Sequence, residues 1–302
     1  MSLVAVGSIA YDSLETPFGR RERALGGSAV HFSLAANLFT DVSVVGVVGD
    51  DFDSDQVLVE RGIDISGIQR IAGGTTFAWE GRYGYDLNVA ETIDTRLGVF
   101  ADFDPHLAEQ HAAAPMLFLG NIQPDLQRSV RRQSGAAFVA LDSMNLWIDI
   151  AKDSLLAVIG EVDAIILNDG EARMLTGEAT LAKAARAISE YGPTIIVIKR
   201  GEYGAALFTA DGFFGVPGYP LEEVFDPTGA GDSFAGGFMG YLSSMGQTTP
   251  DLAHLRRAVA YGSIIASFNV QEFGTERVQR LTRDEVEERV SEFHAMTSFA
   301  LN

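Results

Sequence analysis

The run Glu223-Val-Phe-Asp226-Pro-Thr-Gly-Ala-Gly-Asp232-Ser-Phe-Ala-Gly-Gly-Phe sets two carboxylates six positions apart across a stretch of small residues. From Thr228 to Gly231 the backbone can pass close to another group, and the segment opens into a helical stretch near Asp232. Backbone N–H groups at a helix start, helped by the macrodipole, form a seat for anionic oxygen. An acid there is also the N-cap or first-turn residue of many ordinary helices. The Gly229-Ala230-Gly231 approach, the twin Gly236-Gly237 and the paired acids point further. They suit a carboxylate that takes a hydroxyl proton while neighbouring amides stabilise charge on a phosphoryl group in transfer.

A second glycine-rich helix start is Leu25-Gly26-Gly27-Ser28-Ala-Val-His31-Phe-Ser-Leu-Ala-Ala-Asn37. Paired glycines, a Ser cap and an Ala-rich helix bring backbone close to a neighbour, which alone is equally the mark of tight packing. Asn168-Asp-Gly-Glu171 follows an apolar run, so Glu171 is either a helix N-terminal acid or a ligand-side acid at the edge of a parallel sheet. Lys199-Arg-Gly201-Glu-Tyr-Gly204 reads by itself as a hairpin turn with surface charge.

The elements that must hold these residues alternate short apolar runs with longer amphipathic stretches, the pattern of βαβ units and a mainly parallel sheet. Expected strands are Leu3–Gly7, Val42–Val48, Met116–Gly120, Phe138–Asp142, Ala164–Asn168, Thr194–Lys199 and Ala205–Thr209. Expected helices include Ser28–Phe39, Gln123–Ser134, Glu171–Thr176, Leu181–Tyr191, Asp232–Met245, Leu252–Ser267 and Arg283–Phe293. The fold class is therefore α/β, a twisted and mostly parallel sheet sandwiched by helices. Between Gly74 and Phe100 the polar and apolar residues alternate at period two instead, which predicts half-exposed antiparallel strands. Residues 74–98, joined by residues 12–24, form a small inserted β-sheet in this reading. With no repeat, low-complexity tract or Pro/Gly/Ser linker, the 302 residues are expected to make one domain.

Net charge is −19, from 41 acidic and 22 basic residues. Such a surface repels phosphate backbones and anionic lipid, so nucleic acid and membranes are poor partners and any nucleotide must be met by local devices. Cysteine is absent, which removes disulfides, thiolate metal sites and cysteine nucleophiles. No signal-like segment and no 18-residue apolar stretch is present, so the expected location is the cytoplasm.

Taken together, the two glycine-rich helix starts resemble the signatures of the ribokinase-like (PfkB-type) family of carbohydrate and nucleoside kinases, in order and in separation. The resemblance covers essentially the whole chain, and in that family the inserted β-sheet is a lid over the acceptor and often a dimer contact. It implies ATP and Mg²⁺ as cofactors and a small sugar or nucleoside as acceptor, with Asp232 as catalytic base and Gly229, Ala230 and Gly231 as anion hole. Asp226, Thr228, Lys199, Gly201, Gly204 and Ser263 would lie on the nucleotide side. Asn168 and Glu171, matching an Asn-x-x-Glu signature, would order Mg²⁺ through water. Asp12, Gly26, Gly27, His31 and Asn145 would face the acceptor, and lid closure would exclude water.

Several positions depart from the family pattern. His31 stands where many members have an acceptor-binding Asn; a His on an apolar helix is also commonly a satisfied core residue. Asp142-Ser-Met-Asn145-Leu-Trp147 lacks the Arg of the sugar-kinase branch, and Ser267-Phe-Asn-Val-Gln-Glu-Phe-Gly274 keeps the Gly without the preceding Thr-Arg of a monovalent-cation site. In the lid, Phe77, Trp79, Tyr83 and Tyr85 alternate with polar residues and suit sheet packing, a dimer face or a nucleobase. Arg82 and Arg96 would suit a carboxylated or phosphorylated acceptor. The main expectation is a carbohydrate kinase. A nucleoside kinase is the alternative, and a non-catalytic nucleotide-binding protein is less favoured because Asp232 is present. A dehydrogenase would want Gly-x-Gly-x-x-Gly after the first strand, and Val4-Ala-Val-Gly-Ser-Ile-Ala does not supply it.

Overall fold

The computed structural model of the chain describes residues 2–299. Thirteen strands lie among them: β1 Leu3–Val6, β2 Ala10–Thr16, β3 Gly19–Gly26, β4 Val42–Gly49, β5 Asp64–Ile71, β6 Phe77–Tyr83, β7 Ala90–Arg96, β8 Met116–Leu119, β9 Phe138–Asp142, β10 Ala164–Asn168, β11 Ile195–Lys199, β12 Ala205–Thr209 and β13 Gly212–Val216. Nine of them form one sheet in the order β13-β12-β11-β10-β9-β8-β1-β4-β5. Pairing is parallel from β5 across to β11, and only β12 and β13 run antiparallel, at one edge.

Strands buried on both faces need apolar residues at every position, and β1, β8 and β9 are buried throughout. Alternate residues go to opposite sides: Leu3 and Ala5 join the core shared with Phe32, Phe234 and Phe238, whereas Val4 and Val6 join the core with Val130, Leu155 and Ile188. Helices Ser28–Ala36, Ala230–Ser244, Leu252–Asn269 and Arg283–Thr297 therefore cover one face, and Pro124–Gln133, Lys152–Ile159, Asp169–Thr176 and Leu181–Glu190 the other.

The chain leaves β1 for β4 in one direction and returns through β8 to run the other way, so the order reverses between β1 and β8. Ligands bind in such open sheets outside the carboxyl ends of the strands at that reversal. The two glycine-rich helix starts are brought there by close packing of helix Ala230–Ser244 on helix Ser28–Ala36: a Cβ on Gly236 would lie 2.7 Å from Ala35 Cβ, and one on Gly240 2.9 Å from Ala36 Cα. Each helical glycine costs about 1 kcal/mol relative to alanine. Here that cost secures the approach that sets the His31 ring against Gly229.

The second sheet has the order β3-β2-β6-β7 and corresponds to the inserted sheet expected at residues 12–24 and 74–98. Its β2–β6 pair is parallel, while β2–β3 and β6–β7 are antiparallel. Two strands were not anticipated: β5, whose half-exposed Asp-Ile-Ser-Gly-Ile-Gln-Arg-Ile lacks a clean alternation, and β13, a short edge strand. Helix Ser28–Ala36 stops three residues earlier than its apolar pattern, and helix Arg283–Thr297 runs four beyond it. No helix among the described residues is long and apolar enough to cross a membrane.

Candidate active site

Gly229 adopts φ +72 and caps helix Ala230–Ser244, which makes Asp232 the third residue of the first turn. The preceding loop is braced from behind. Both oxygens of the wholly buried Asp226 accept backbone N–H bonds, from Thr228 at 2.9 Å and from Gly274 at 2.8 Å. Asp226 thus holds the loop's shape. Thr228 faces the lid, its Oγ1 3.1 Å from the Tyr83 hydroxyl at the end of β6.

Lys199, at the end of β11, reaches the same place. Its Nζ donates to Asp142 Oδ2 at 2.8 Å, and a Cβ on Gly231 would lie 2.7 Å from that Nζ. Asp142 ends β9 and Asn168 ends β10, so parallel register alone puts Asp142, Asn168 and Lys199 on one edge. Burial works to lower the Lys199 pKa, but Asp142 and Glu171 outweigh it and the ammonium is held. Burial, then Asp142, pushes both Glu171 and Asp232 above the usual carboxylate range, with Lys199 opposing.

Asn168 and Glu171 form a reciprocal capping box: Asn168 Oδ1 accepts from Glu171 N at 2.8 Å, and Glu171 Oε2 from Asn168 N at 2.7 Å. The first helical turn thereby fixes Glu171 toward the cluster. Among the described residues no group of three or more His, Asp or Glu side chains could hold a metal directly. One spare Glu171 oxygen near Asp142 fits an ion that keeps most of its waters, as Mg²⁺ does, and such an ion would supply screening of a triphosphate.

Asp12, expected to face the acceptor, is buried in β2 with its carboxylate where a Cβ on Gly26 would stand. Gly27, at φ +95, lies against Ser8 O and Ala10 N. Any side chain at either glycine would displace Asp12 or the backbone of β2. Burial, then the like charges of Asp226 and Asp232, pushes Asp12 up to about 8, so its carboxyl keeps a proton at neutral pH and can donate as well as accept. His31 lies against the Thr228–Gly231 loop, its ring on Gly229 and its Nδ1 3.0 Å from Asn269 Oδ1.

The remaining expected residues lie further out. Asn145 is exposed at the start of a short helix, its Oδ1 accepting from Leu146 N at 3.0 Å. Gly201 and Gly204 take φ +55 and +83 in the β11–β12 turn, and a Cβ on Gly201 would lie 2.5 Å from Asn88 Oδ1 at the lid tip. Ser263 is buried in helix Leu252–Asn269, its hydroxyl without a hydrogen-bond partner among the described residues. Arg82 and Arg96 pair with lid acids, Glu15 at 3.2 Å and Asp94 at 3.1 Å.

Two members of the cluster escaped the sequence reading. Asp142 was noted only as part of a motif lacking its Arg; its signal is an acid ending an otherwise apolar strand. Asn269 is wholly buried at the end of an apolar helix, and a polar residue in that position is the signal.

Residues 125–280 match the model of the pfkB family carbohydrate kinases. The chain is 31% identical over 247 residues to a cytidine kinase of Thermococcus kodakarensis, a match covering 79% of this chain and 87% of that one. Its fold superposes on a nucleoside kinase of Burkholderia thailandensis in complex with inosine, with TM-score 0.77, 21% identity and full coverage of both chains. It superposes as well on a fructokinase of Vibrio cholerae O395, with TM-score 0.78, 18% identity and coverage of 96% and 99%. At such identities the two structures speak for the fold alone. On the family match and the cytidine kinase relative, the chain belongs to the pfkB family of carbohydrate kinases, and is a phosphotransferase with a sugar or nucleoside hydroxyl as acceptor.

Proposed function

We propose that the chain transfers the γ-phosphoryl group of ATP to a hydroxyl of a nucleoside. The observation that carries the nucleoside reading is the neighbourhood of Asp12. In the β2–β6 pairing Trp79 is the register partner of Asp12, so the indole and the acceptor-side carboxyl share one face of the lid sheet. The indole packs flat over Gly81, where a Cβ would run into its ring, and its Nε1 donates to Thr92 Oγ1 at 3.2 Å. A fixed aromatic face beside a sugar-binding carboxyl suits a ribose carrying a flat base. The absence of the sugar-branch Arg after Asn145 and the cytidine kinase relative support the same reading.

In this reading Asp12 bonds acceptor hydroxyls, Asp232 takes the proton of the attacking hydroxyl, and the Gly229 and Gly231 amides receive the phosphoryl oxygens, since the expected third donor, Ala230 N–H, donates to the Pro227 carbonyl at 3.2 Å. Lys199 is poised to exchange Asp142 for a phosphate, and Glu171 would hold the waters of a Mg²⁺ ion that screens the triphosphate. Tyr83 and Asn88 bring the lid onto the loop and the β11–β12 turn, which closes the cleft to water.

An acceptor panel of cytidine, adenosine, inosine, ribose, fructose and a ketodeoxy sugar acid, run with ATP and Mg²⁺, tests the acceptor class. The expected result is kcat/KM at least about a hundredfold higher for one nucleoside than for any free sugar, since bound base area adds about 3 kcal/mol or more. A free sugar as best substrate overturns the nucleoside reading.

The base role sets a pH dependence. Only ionised Asp232 accepts a proton, and burial with Asp142 nearby raises its pKa to about 7. Activity is then lost as pH falls through about 7, rather than through the ordinary carboxylate range near about 4. Lys199→Met removes the charge that favours the carboxylate and moves this limb upward; Asp142→Asn moves it downward. A kcat/KM profile flat from pH 8 to pH 5 contradicts the assignment.

A further inference from the structure

Asn269 ties the back of the catalytic loop to the acceptor-side helix. Its Nδ2 donates to the Thr228 carbonyl at 2.8 Å, and its Oδ1 accepts from Ser233 Oγ at 3.0 Å and stands 3.0 Å from His31 Nδ1. Because the amide nitrogen is committed to a carbonyl, Oδ1 is the atom that meets His31, and an amide oxygen can only accept. His31 Nδ1 therefore carries the ring proton. Burial holds the imidazole's pKa down to about 4, so it is neutral, and Nε2, without a hydrogen-bond partner among the described residues, is a bare lone pair.

One amide thus fixes three parts: the peptide entering Gly229, a hydroxyl in the first turn of the Asp232 helix, and the imidazole on which Gly229 rests. A structural Asn at a helix end satisfies carbonyls or amides of its own helix. All three Asn269 partners lie on other elements. The Thr228–Gly229 peptide sets the direction in which the Gly229 and Gly231 N–H groups point, the Ala230 N–H being held by the Pro227 carbonyl at 3.2 Å. Donors to a developing oxyanion act only when aimed at the place where charge appears.

We propose that Asn269 is a positioning residue for phosphoryl transfer: through the Thr228 carbonyl and the neutral His31 it sets the aim of the anion hole. The inference rests on the anion-hole reading given above. It predicts an effect on the chemical step and little on binding of either substrate.

The test is Asn269→Asp and Asn269→Ser, with kcat taken per folded enzyme from circular dichroism. The Asp variant keeps the shape and the acceptor for Ser233 and His31, but when ionised cannot donate to Thr228 O. Its kcat is expected to fall about 10- to 100-fold, with KM for ATP and for the best acceptor within about threefold, somewhat less than the loss of a direct oxyanion donor. The defect relative to the unmodified chain shrinks at low pH, where the introduced acid is protonated and can donate again; the Ser variant shows no such pH dependence. Ser233→Ala, which disturbs the fold least, lowers kcat about threefold in the same sense. A kcat within about twofold in the Asp variant, a loss that appears in KM instead, or a pH-independent defect overturns the proposal; so does an unchanged Ser233→Ala if neither Asn269 variant folds. Asp232→Asn assayed alongside separates the two levels. If that variant still turns over, the catalytic-loop reading fails; if it is inactive while Asn269→Asp is not, only the role of Asn269 fails.

Discussion

Asp232→Asn is expected to abolish acceptor phosphorylation, lowering kcat by about a thousandfold or more, while ATP binding stays within a few-fold of the unmodified chain. The reasoning starts at the helix start. Asp232 is the third residue of the helix that Gly229 caps, within electrostatic reach of Asp142 and Lys199. An amide there has nearly the same shape and remains compatible with the turn, so the fold is kept. It cannot take a proton, however, and a positioned base contributes about 10²- to 10⁴-fold. Removing a carboxylate beside Asp142 and Glu171 also relieves like-charge repulsion, so the variant should be at least as stable as the parent. Phosphoryl transfer followed by coupled assay, nucleotide affinity by calorimetry and thermal unfolding together check it. Turnover near that of the parent would falsify the base assignment, and lost ATP binding would show that the side chain serves the nucleotide instead.

The parts of this site that could be read in the sequence are those made by neighbouring residues. Gly229-Ala230-Gly231-Asp232 and Gly26-Gly27 announce themselves because a close approach or a positive φ must be solved locally by glycine. The Asn168–Glu171 box spans three residues, and the parallel strands reveal themselves through unbroken apolar runs such as Ala164–Leu167. What was not legible is long-range pairing. Lys199 meets Asp142 across 57 positions, and Asn269 meets Thr228 across 41 and His31 across 238. A polar residue closing an apolar helix marks Asn269 as unusual, but no local pattern names its partners. Asp226 carried a different lesson: its place in the motif suggested the nucleotide side, and the motif gave no sign that its two oxygens also brace the loop through the Thr228 and Gly274 amides. The half-exposed edge strands β5 and β13 were missed for a related reason, since neither alternation nor a continuous apolar run is required at an edge.

Gly229→Ala is expected to be the most damaging change of a single methyl group in the loop. Two costs act at once. Gly229 holds φ +72, which an L-residue with a Cβ adopts at a cost of about 1–2 kcal/mol. The added Cβ also runs into the His31 imidazole, a buried ring held by Asn269 with little room to retreat, and overpacking of this kind costs about 1–3 kcal/mol. The chain can relieve both only by moving the loop off His31, which carries the Gly229 and Gly231 amides away from their proposed place at the phosphoryl oxygens. Stability should therefore drop by about 2–5 kcal/mol, and kcat by at least about a hundredfold, the cost of misplacing an oxyanion donor. The two causes separate by substitution. Asn tolerates the left-handed region better than Ala, so if backbone strain dominated, Gly229→Asn would be the milder change. The clash argument predicts that it is as damaging as Ala. Removing the ring in a Gly229→Ala, His31→Ala double variant should then restore part of the lost stability, a favourable coupling of about 1 kcal/mol or more between residues in contact. Strictly additive losses in chemical denaturation would mean that the imidazole is not the obstacle and that the floor of the anion hole lies elsewhere.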